Sequence, residues 1–366
     1  MESVEDIVIV GAGIAGLATS LGLHRLGLRN LVLESSDTLR ASGFSFITFP
    51  NAWRALDALG VGDFLRQQHL QLQGKDQEVR CVRRSNLFDV LAKELPPGTI
   101  RLNSKVVSIE EEENLKILHL ADGLTLKSKI LIGCDGVNSV VAKWLGLPKP
   151  AFAGRSAARG LAEFPEGHGR KPEFLQFFGN GFRSVKGMEE SPVEIKQFVL
   201  SRLQGAPQQL LEIIEQTGLE SIISSPLRFR FPWDVLWGDI CKDNVCVVGD
   251  AFHPMTPDLA QGACSALEDS ITLARCIGES LLGKPRKGNE EDEQSRIKRA
   301  LESYAKQRRW RGFELVTTAY LLGLIQQSSG VFMNFLRDKC LAGWTAEMLL
   351  MKSKFDCGNL FGNLEV

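Results

Sequence analysis

The sequence has little of what marks a nucleic-acid-binding or membrane-spanning protein. Its 43 basic and 44 acidic residues give a formal net charge of -1 at pH 7, which provides no general field to steer nucleic acid or acidic lipid. No stretch reaches the roughly 20 unbroken apolar residues that a membrane span needs. The nearest, 315–331, carries Thr, Gln and Ser at helical intervals and is typical of a packed helix. We therefore expect no nucleic-acid partner and no transmembrane segment.

Cysteine and histidine are not arranged as a metal site or a disulfide framework. The eight cysteines include no C-x-x-C pair and have no histidine at ligand spacing, and the five histidines do not cluster. This pattern is typical of reduced, buried thiols. The first residues, MESVED, are acidic rather than basic, unlike a signal peptide. We expect no metal and an intracellular protein, either cytoplasmic or in an organelle such as the chloroplast after removal of a transit peptide.

What the sequence does have is a glycine-rich turn between a strand and a helix. Residues 6–10, DIVIV, are apolar throughout, as in the centre of a parallel sheet covered on both faces. Gly11, Gly13 and Gly16 follow with the spacing G-x-G-x-x-G, before the helical pattern of 14–27. The first glycine permits a tight turn, the second lets the backbone approach a pyrophosphate, and the third lets helix and strand pack closely. Since the helix N-terminus then faces the anion, the turn predicts a dinucleotide site.

An acidic residue stands where such a site would bind ribose. A second strand, 30–33, ends in Glu34, which lies 23 residues after Gly11. A carboxylate at that strand end binds the ribose hydroxyl pair of an adenosine and disfavours a 2′-phosphate. The alternative, an ordinary solvated glutamate after a strand, leaves the order of these elements unexplained. The pocket therefore predicts FAD or NAD rather than NADP.

The chain builds a second strand–turn–helix more than two hundred residues later. The apolar strand 245–248 runs into Gly249 and Asp250, and a helical pattern over 262–276 follows. Ligand contacts in open α/β sheets lie beyond the carboxyl ends of strands, which is where this aspartate stands. The alternative interpretation is an aspartate that only caps a turn or helix.

A third turn follows a predicted meander in the middle of the chain. Residues 99–133 predict three short antiparallel strands with an Asp-Gly turn at 122–123. The last of these strands leads to Asp135 and Gly136. Because Asp-Gly is common in turns, a purely structural turn residue is the alternative for Asp135.

Together the three motifs resemble the fingerprints of flavin-dependent group A aromatic monooxygenases. Their order and approximate spacing match, and the runs GFSFITFPNAWRALDALG and GDAFHPMTPDLAQGACSALED look most like plant FAD-dependent monooxygenases related to salicylate, urate and p-hydroxybenzoate hydroxylases. The resemblance covers about residues 5–280. It implies an α/β protein with an FAD-binding Rossmann-like fold of the glutathione reductase type and an inserted β-rich substrate domain.

The resemblance implies that the distant turns converge on one FAD. The glycine-rich turn would take the pyrophosphate, and Asp250 would hold the ribityl chain. The 254–263 loop and the helix after it would meet the pyrimidine edge, where the helix dipole stabilises negative charge on reduced flavin. Two matched arginines would contact FAD, although a surface salt bridge is an equal alternative for Arg84. The implied cofactor-binding residues are Gly11, Gly13, Ala15, Gly16, Glu34, Arg40, Arg84, Val106 (through its backbone, at the adenine), Asp135, Asp250, Pro257, Gly262 and Ala263.

The resemblance also implies a reaction, the hydroxylation of a small aromatic or heteroaromatic compound. NADPH or NADH would reduce FAD, dioxygen would give a flavin C4a-hydroperoxide, and one oxygen atom would pass to the substrate. The cofactor carries this chemistry while the protein excludes water and places the substrate, so no acid–base triad is expected. His253, beside the flavin loop, is a candidate proton shuttle, although this position is mostly structural in relatives.

The sequence departs from the family pattern in two places. Ala260 and Ala263 stand where many relatives have glycine, and a Cβ there crowds the flavin unless φ stays negative. After strands expected at 161–167 and 171–184, the chain passes directly to a helix, so we expect one or two strands of the substrate domain to be missing and the pocket to oxygenate poorly. The expected domains are 1–150 and 241–285 for FAD, 151–240 for the substrate, and 286–366 for C-terminal helices that end in a loose tail.

Rival functions remain on the same fold. A halogenase is disfavoured because no W-x-W-x-I-P element occurs and Trp233 and Trp237 are four residues apart. A reductase of isoprenoid lipids is another rival. A third is a flavin-fold protein with impaired turnover, either uncoupled like an oxidase or serving a binding or regulatory role. The sequence does not choose between NADH and NADPH, and it leaves the oligomeric state open.

Overall fold

The structure is a computed structural model that describes residues 4–39, 45–72, 77–167, 169, 171–172, 191–203, 206–283, 292–327, 348 and 350–362. The strands are β1 Val4–Val10, β2 Leu31–Leu33, β3 Ser45–Thr48, β4 Arg80–Arg83, β5 Ile100–Arg101, β6 Val106–Glu112, β7 Leu115–Leu120, β8 Thr125–Gly133, β9 Ala151–Arg159, β10 Ile223–Phe229, β11 Cys241–Lys242 and β12 Val245–Val247. The helices are α1 Ile14–Arg25, α2 Pro50–Ala58, α3 Gly62–Gln68, α4 Arg84–Lys93, α5 Val140–Trp144, α6 Pro192–Arg202, α7 Gln208–Gln216, α8 Pro232–Trp237, α9 Gly262–Leu282 and α10 Glu293–Gln327.

A largely parallel sheet organises the fold. Its strand order is β11-β12-β8-β1-β2-β5, and β7 and β6 extend it from β8. β1 runs parallel to both β2 and β8, and β12 runs parallel to β8. The two distant strand–turn–helix units therefore share one sheet, with only β8 between their strands. This arrangement is the Rossmann-like α/β fold that the sequence predicts.

Both faces of the sheet are covered. Since side chains alternate along a strand, Ile7 and Ile9 point into the core formed with α1, α2 and α9. Val8 and Val10 point into a second core, formed with α5 and the β6–β7 hairpin. This two-sided burial explains why the sequence of β1 is apolar without interruption.

The predicted antiparallel meander is present between the first and third turns. β6 pairs with β7, and β7 pairs with β8, both antiparallel. Gly123 has φ +86° at the predicted Asp-Gly turn. One difference is that the first predicted strand divides in two, because β5 leaves the meander and runs parallel beside β2.

The region expected to be a substrate domain lies around a second, small sheet. β9 and β10 form an antiparallel pair, and α6 and α7 come between them in the chain. The strand predicted at 161–167 is wrong, since only an isolated bridge from Ala162 to Thr217 occurs there. Most of the strand predicted at 171–184, and the expected loss of strands after it, lie outside the described residues.

The C-terminal residues pack onto the main lobe. α10 lies against α8 and α9, and the last described residues, 355–362, follow the same surface. The prediction of a loose tail is wrong, because Cys357 and Leu360 are only 2% and 1% exposed. Two arginines bind this segment by its carbonyl groups, with Arg54 Nη1 donating to the Phe355 oxygen at 2.9 Å. No helix among the described residues has the length and apolarity to cross a membrane.

Candidate active site

Three turns meet at one edge of the sheet. The last residue of β1, Val10, lies opposite Gly133 of β8, which in turn lies opposite Val247 of β12. Because these strands are parallel and in register, the turns that begin at Gly11, Asp135 and Gly249 start side by side. The convergence of the distant turns is thus confirmed, and its cause is the position of β8 between the other two strands.

Each glycine of the first turn has the geometry that its predicted task needs. Gly11 has φ +100°, and a Cβ built there would lie 2.6 Å from the Cys134 carbonyl oxygen. A Cβ on Gly16 would lie 1.9 Å from the Gly11 oxygen, so helix and turn touch at that point. Gly13 is different, since a Cβ there would meet no atom within 4 Å. The space beside Gly13 and the first turn of α1, which has no side-chain cap, fit a pyrophosphate.

Glu34 points back to this turn. Its Oε2 accepts a hydrogen bond from the Ala12 N–H at 2.9 Å, and its Oε1 accepts one from the Ser36 N–H at 2.9 Å. The Glu34 backbone oxygen accepts from Ser104 N–H at 2.7 Å, which brings the start of β6, with Val106, alongside. The predicted ribose and adenine residues therefore lie beside the predicted pyrophosphate residues.

Asp250 and Arg84 both have unused hydrogen-bonding groups, and the charge of each acts on the pKa of the other. Asp250 opens to solvent on one side of the cleft, and its carboxylate accepts no hydrogen bond from the described residues. Burial in the cleft raises the pKa of its carboxyl group, and the charges of His253 and Arg84 act in the opposite direction. Burial likewise lowers the pKa of Arg84, which Asp250 raises again. The Arg84 Nε is buried and, in the part of the chain that is described, has no hydrogen-bond partner.

These unpaired groups are a test of whether FAD fits. A buried guanidinium nitrogen without a partner is costly unless something else binds it, and an anionic or hydroxyl-rich ligand would do so. Because no carboxylate is paired with Arg84 among the described residues, a surface salt bridge does not account for this arginine. Asp250 offers acceptors for hydroxyl groups in the same cleft. The residues present therefore fit a dinucleotide with a polyhydroxy chain.

The 254–261 loop leads from this cleft to the N-terminus of α9. A short 3-10 helix, Pro257–Leu259, is followed by Ala260 with φ +49° and ψ +25°. Ala260 does not meet the condition of a negative φ, since it adopts the left-handed region that glycine prefers. Ala263 lies in the first turn of α9 and has an ordinary helical backbone. Gly262, the first residue of α9, has open space where a Cβ would be, apart from Met255 Cγ at 3.9 Å.

His253 belongs to a buried charge network beneath the turn. It is fully buried, and its Nε2 lies 2.6 Å from Asp269 Oδ2, which also accepts the Gly249 N–H at 2.9 Å. The other carboxylate oxygen of Asp269 accepts from Arg308 Nε at 2.5 Å. These bonds connect the turn to α9 and α10 through His253, and its role as a proton shuttle stays a prediction.

Glu268 extends the network toward α2. It accepts hydrogen bonds from Arg308 Nη2 at 2.7 Å and from Arg311 Nη2 at 2.9 Å. Asn51 Nδ2 donates to Glu268 Oε1 at 2.5 Å and to Gln261 Oε1 at 2.8 Å. Asn51 therefore lies inside α2 and connects this helix to α9.

Sequence reasoning missed these partners and one further arginine. Two consecutive acids in an otherwise apolar helix were a usable signal, because buried acids need cations and Arg308 and Arg311 share a helix face. Arg230 gave no such signal. It is 2% exposed, and its guanidinium donates to the backbone oxygens of Phe252 at 3.0 Å, Ala251 at 3.2 Å and Pro148. It thereby fixes the turn that carries Asp250.

Not every predicted site residue is free to bind a ligand. The Asp135 carboxylate accepts hydrogen bonds from Ser139 Oγ and from the Val140 N–H, so it caps the start of α5. This matches the turn interpretation, and a cofactor contact at Asp135 stays a prediction. Ala15 is buried and faces Gly249, where a Cβ would lie 3.0 Å from the Ala15 Cβ. Pro257 begins the 3-10 helix of the loop, and Arg40 lies outside the described residues.

A parallel sheet with three turns side by side at the carboxyl ends of its strands is typical of dinucleotide-binding oxidoreductases. Comparison with known proteins shows to which family of this class the chain belongs. Residues 230–317 match the family model described as FAD binding domain, and residues 6–161 match the one described as Lycopene cyclase protein. The chain is 48% identical to Monooxygenase 2 of Arabidopsis thaliana over 98% of this chain and 99% of that protein. It is 35% identical to Monooxygenase 1 of the same plant, over 97% and 99%.

Among solved structures, HpxO of Klebsiella pneumoniae complexed with FAD and uric acid has the same fold. It matches with a TM-score of 0.77 at 20% identity, over 95% of this chain and 97% of that one. The chain belongs to the plant FAD-dependent monooxygenase family of the group A flavoprotein hydroxylases. It is an FAD-dependent monooxygenase, and the alternative of a flavin-fold protein without turnover is not favoured. The alignment with Monooxygenase 2 spans 402 positions, more than the 366 residues present here, so this chain is the shorter one.

Proposed function

We propose that this monooxygenase hydroxylates a small aromatic or heteroaromatic compound with NADPH or NADH as reductant and dioxygen as oxidant. The observation that carries the proposal is a pair of unused polar groups: the buried Arg84 Nε has no hydrogen-bond partner among the described residues, and the Asp250 carboxylate accepts no hydrogen bond from them. HpxO, which has the same fold, was solved with FAD and uric acid, and this supports a heteroaromatic substrate class for the present chain.

The residues at this edge of the sheet would bind different parts of FAD. The N–H groups at the start of α1 and the open side of Gly13 would bind the pyrophosphate, and Glu34 would accept the ribose hydroxyl hydrogen bonds. Arg84 would neutralise phosphate charge. Asp250 would accept hydrogen bonds from the ribityl hydroxyls. When bound, FAD supplies the two-electron redox chemistry that links the reductant to dioxygen.

The chain itself would position and shield. The N–H groups at the start of α9, which has no side-chain cap, follow directly after the 254–261 loop and would stabilise negative charge on the pyrimidine edge. Arg230 and the Asp269–Arg308 pair would keep the Asp250 turn rigid, so that little reorganisation accompanies charge formation. The substrate would lie between this loop and the β9–β10 pair. The route of oxygen transfer that the family resemblance implies stays a prediction.

The test is the visible absorbance spectrum of the purified protein, followed by addition of NADPH or NADH under air. We expect flavin bands that bleach on addition and return as oxygen is consumed. Bands that never bleach would overturn the proposed reductant. A protein that takes up no FAD, even after reconstitution, would overturn the proposed use of the cleft. Arg84→Met and Asp250→Asn should each weaken FAD binding, whereas Asp89→Asn on the exposed face of α4 should not.

A further inference from the structure

In addition to the hydrogen bonds of Arg230, an ion pair joins the β9–β10 pair to the 254–261 loop. Arg155 of β9 and Asp258 of the loop form a bidentate ion pair, in which Nη1 donates to Oδ1 at 3.0 Å and Nη2 donates to Oδ2. The Asp258 side chain is 4% exposed and that of Arg155 is 22% exposed. The pair is therefore largely removed from water, where a charge-assisted hydrogen bond is strong and its loss is expensive.

The two side chains have few other partners. The Arg155 Nε is buried and, among the described residues, has no hydrogen-bond partner. Among the described residues, the guanidinium is thus held by Asp258 alone, and a neutral residue at either position would leave the other charge without this partner. Such an arrangement is a specific contact, in contrast to exposed ion pairs, which contribute little.

α10 closes the other side of the pair. A Cβ built on Gly323 would lie 2.7 Å from Arg155 Nη2 and 3.0 Å from Asp258 Oδ2. Only glycine leaves room for the ion pair against the helix at this place. One residue further along the loop, Leu259 is fully buried in a small core with Leu315, Ala319 and Leu322 of α10. The loop therefore lies between α10 and β9. Arg155 is the residue through which β9 contacts the loop.

The position of Arg155 along its strand gives the pair a mechanical role. The β9–β10 pair forms a two-stranded ribbon, and we call the end of the ribbon that leads into Arg230 its base. There Arg230 binds the turn after β12, and Phe229 stacks on Tyr320 of α10 at 5.1 Å between ring centroids. Arg155 lies four residues into β9, which is about 13 Å from the base at about 3.3 Å per residue. A ribbon fixed at its base alone can pivot, whereas a second attachment at this distance sets its direction.

We propose that Arg155 and Asp258 are positioning residues, and that their ion pair sets the 254–261 loop relative to the β9–β10 ribbon. The loop leads directly into the N-terminus of α9, so its position decides where those N–H groups point. The proposal rests on the proposed function only in naming FAD as the molecule that the loop and helix serve. The same pair also joins the wall expected to hold the substrate to the wall expected to hold the flavin.

The test compares Asp258→Asn, Arg155→Gln, Arg155→Lys and the double variant Arg155→Gln/Asp258→Asn with the unmodified protein. The control is Asp57→Asn, which removes another bidentate pair, Arg66–Asp57 at 2.6 and 2.8 Å, on α2 and α3. We expect the dissociation constant of FAD to rise about three- to tenfold in Asp258→Asn and Arg155→Gln, and no further in the double variant, since both remove one interaction. Arg155→Lys keeps the charge but not the fork geometry and should lie between.

Two readouts separate positioning from general stability. Circular dichroism of the bound flavin in the visible range should change in the pair variants and stay the same in Asp57→Asn. In FAD-free protein, amide hydrogen exchange of a peptide covering 254–261 should be faster in the pair variants only. Asp258→Asn that matches Asp57→Asn in both readouts would overturn the proposal, and so would additive effects in the double variant. If the unmodified protein binds no FAD, the proposed function fails, while the hydrogen-exchange comparison still decides the role of the pair.

Discussion

At the scale of single residues, Ala260 carries backbone strain that the fold does not relieve. Its φ of +49° is left-handed, and there its Cβ approaches the following carbonyl group. We expect Ala260→Gly to raise the free energy of unfolding by roughly 0.5–1 kcal/mol, because glycine adopts this region without that clash. Urea unfolding of the FAD-free protein measures the change.

The matched control for Ala260 is three residues away. Ala263→Gly places glycine in the first turn of α9, where the backbone is helical, and should lower stability by up to about 1 kcal/mol. The two alanine-to-glycine changes should therefore have opposite signs. A stability loss at both positions would show that the Ala260 side chain makes contacts worth more than the strain.

The lowered pKa of Asp269 predicts how the stability of the folded protein depends on pH. Burial raises its pKa, but His253 and Arg308 outweigh burial and bring the pKa to about 2, below the ordinary 3.8. Because the folded pKa is the lower one, this carboxylate contributes stability that is fully present above about pH 4 and is lost as the pH falls through 2. The difference corresponds to about 2 kcal/mol at about 1.4 kcal/mol per pKa unit.

Asp269→Asn should make the acid side of the stability curve shallower between about pH 5 and pH 2. It should also lower stability at neutral pH by about 3–5 kcal/mol, because Arg308 and His253 lose their buried partner. Urea unfolding at a series of pH values measures both effects. Asp89→Asn, which removes an exposed carboxylate on α4, should leave the curve unchanged. An equally steep acid limb in Asp269→Asn would assign the pH dependence to other carboxylates.

At the scale of elements, one arginine connects the end of β10 to the turn after β12. Arg230 donates to three backbone oxygens, and burial lowers its pKa to about 10. Arg230→Gln should lower the free energy of unfolding by about 2–3 kcal/mol, because buried carbonyl groups lose their donors. It should weaken FAD binding as well, since the Asp250 turn loses its support. Thermal unfolding and FAD titration check the two effects.

Arg228→Gln is the control for Arg230, because Arg228 lies two residues earlier, within β10. Arg228 is half-buried, and its side chain makes no hydrogen bond to the other described residues. This change should alter stability by less than about 0.5 kcal/mol. Equal losses at the two positions would mean that positive charge near β10, rather than the three hydrogen bonds, is what stabilises the turn.

The elements that sequence could predict are those with a local signal. The strand–turn–helix units, the meander and its Asp-Gly turn each depend on residues that are neighbours in the chain, and each is present. The roles of Arg230 and Asn51 could not be predicted, because their partners lie far away in sequence and only the packed fold brings them together. The packing of the tail was missed for the same reason, since a short segment without helix or strand periodicity gives no sign of the distant residues that it contacts.

At the scale of the whole molecule, the candidate site exists because three separated segments end on neighbouring strands. The family resemblance implied that the turns of Gly11 and Asp250 converge, but it did not show that β8 lies between their strands or that Asp135 mainly caps α5. Convergence is a property of strand order, which local patterns do not specify. FAD binding should therefore depend on the integrity of the whole sheet, and it should in turn stabilise that sheet.

Substitution of Gly13 should impair FAD binding while it leaves the stability of the FAD-free fold nearly unchanged. FAD at about one hundred times its dissociation constant should raise the free energy of unfolding by about 2.7 kcal/mol. Gly13→Ala should change FAD-free stability by less than about 1 kcal/mol, because its backbone is extended and a Cβ meets nothing within 4 Å. The same Cβ should occupy the space of the pyrophosphate and remove the FAD-dependent increase.

Gly16→Ala, with a Cβ 1.9 Å from the Gly11 oxygen, should instead destabilise the FAD-free protein. Thermal unfolding with and without FAD distinguishes the two, and an undiminished FAD effect in Gly13→Ala would place the cofactor elsewhere.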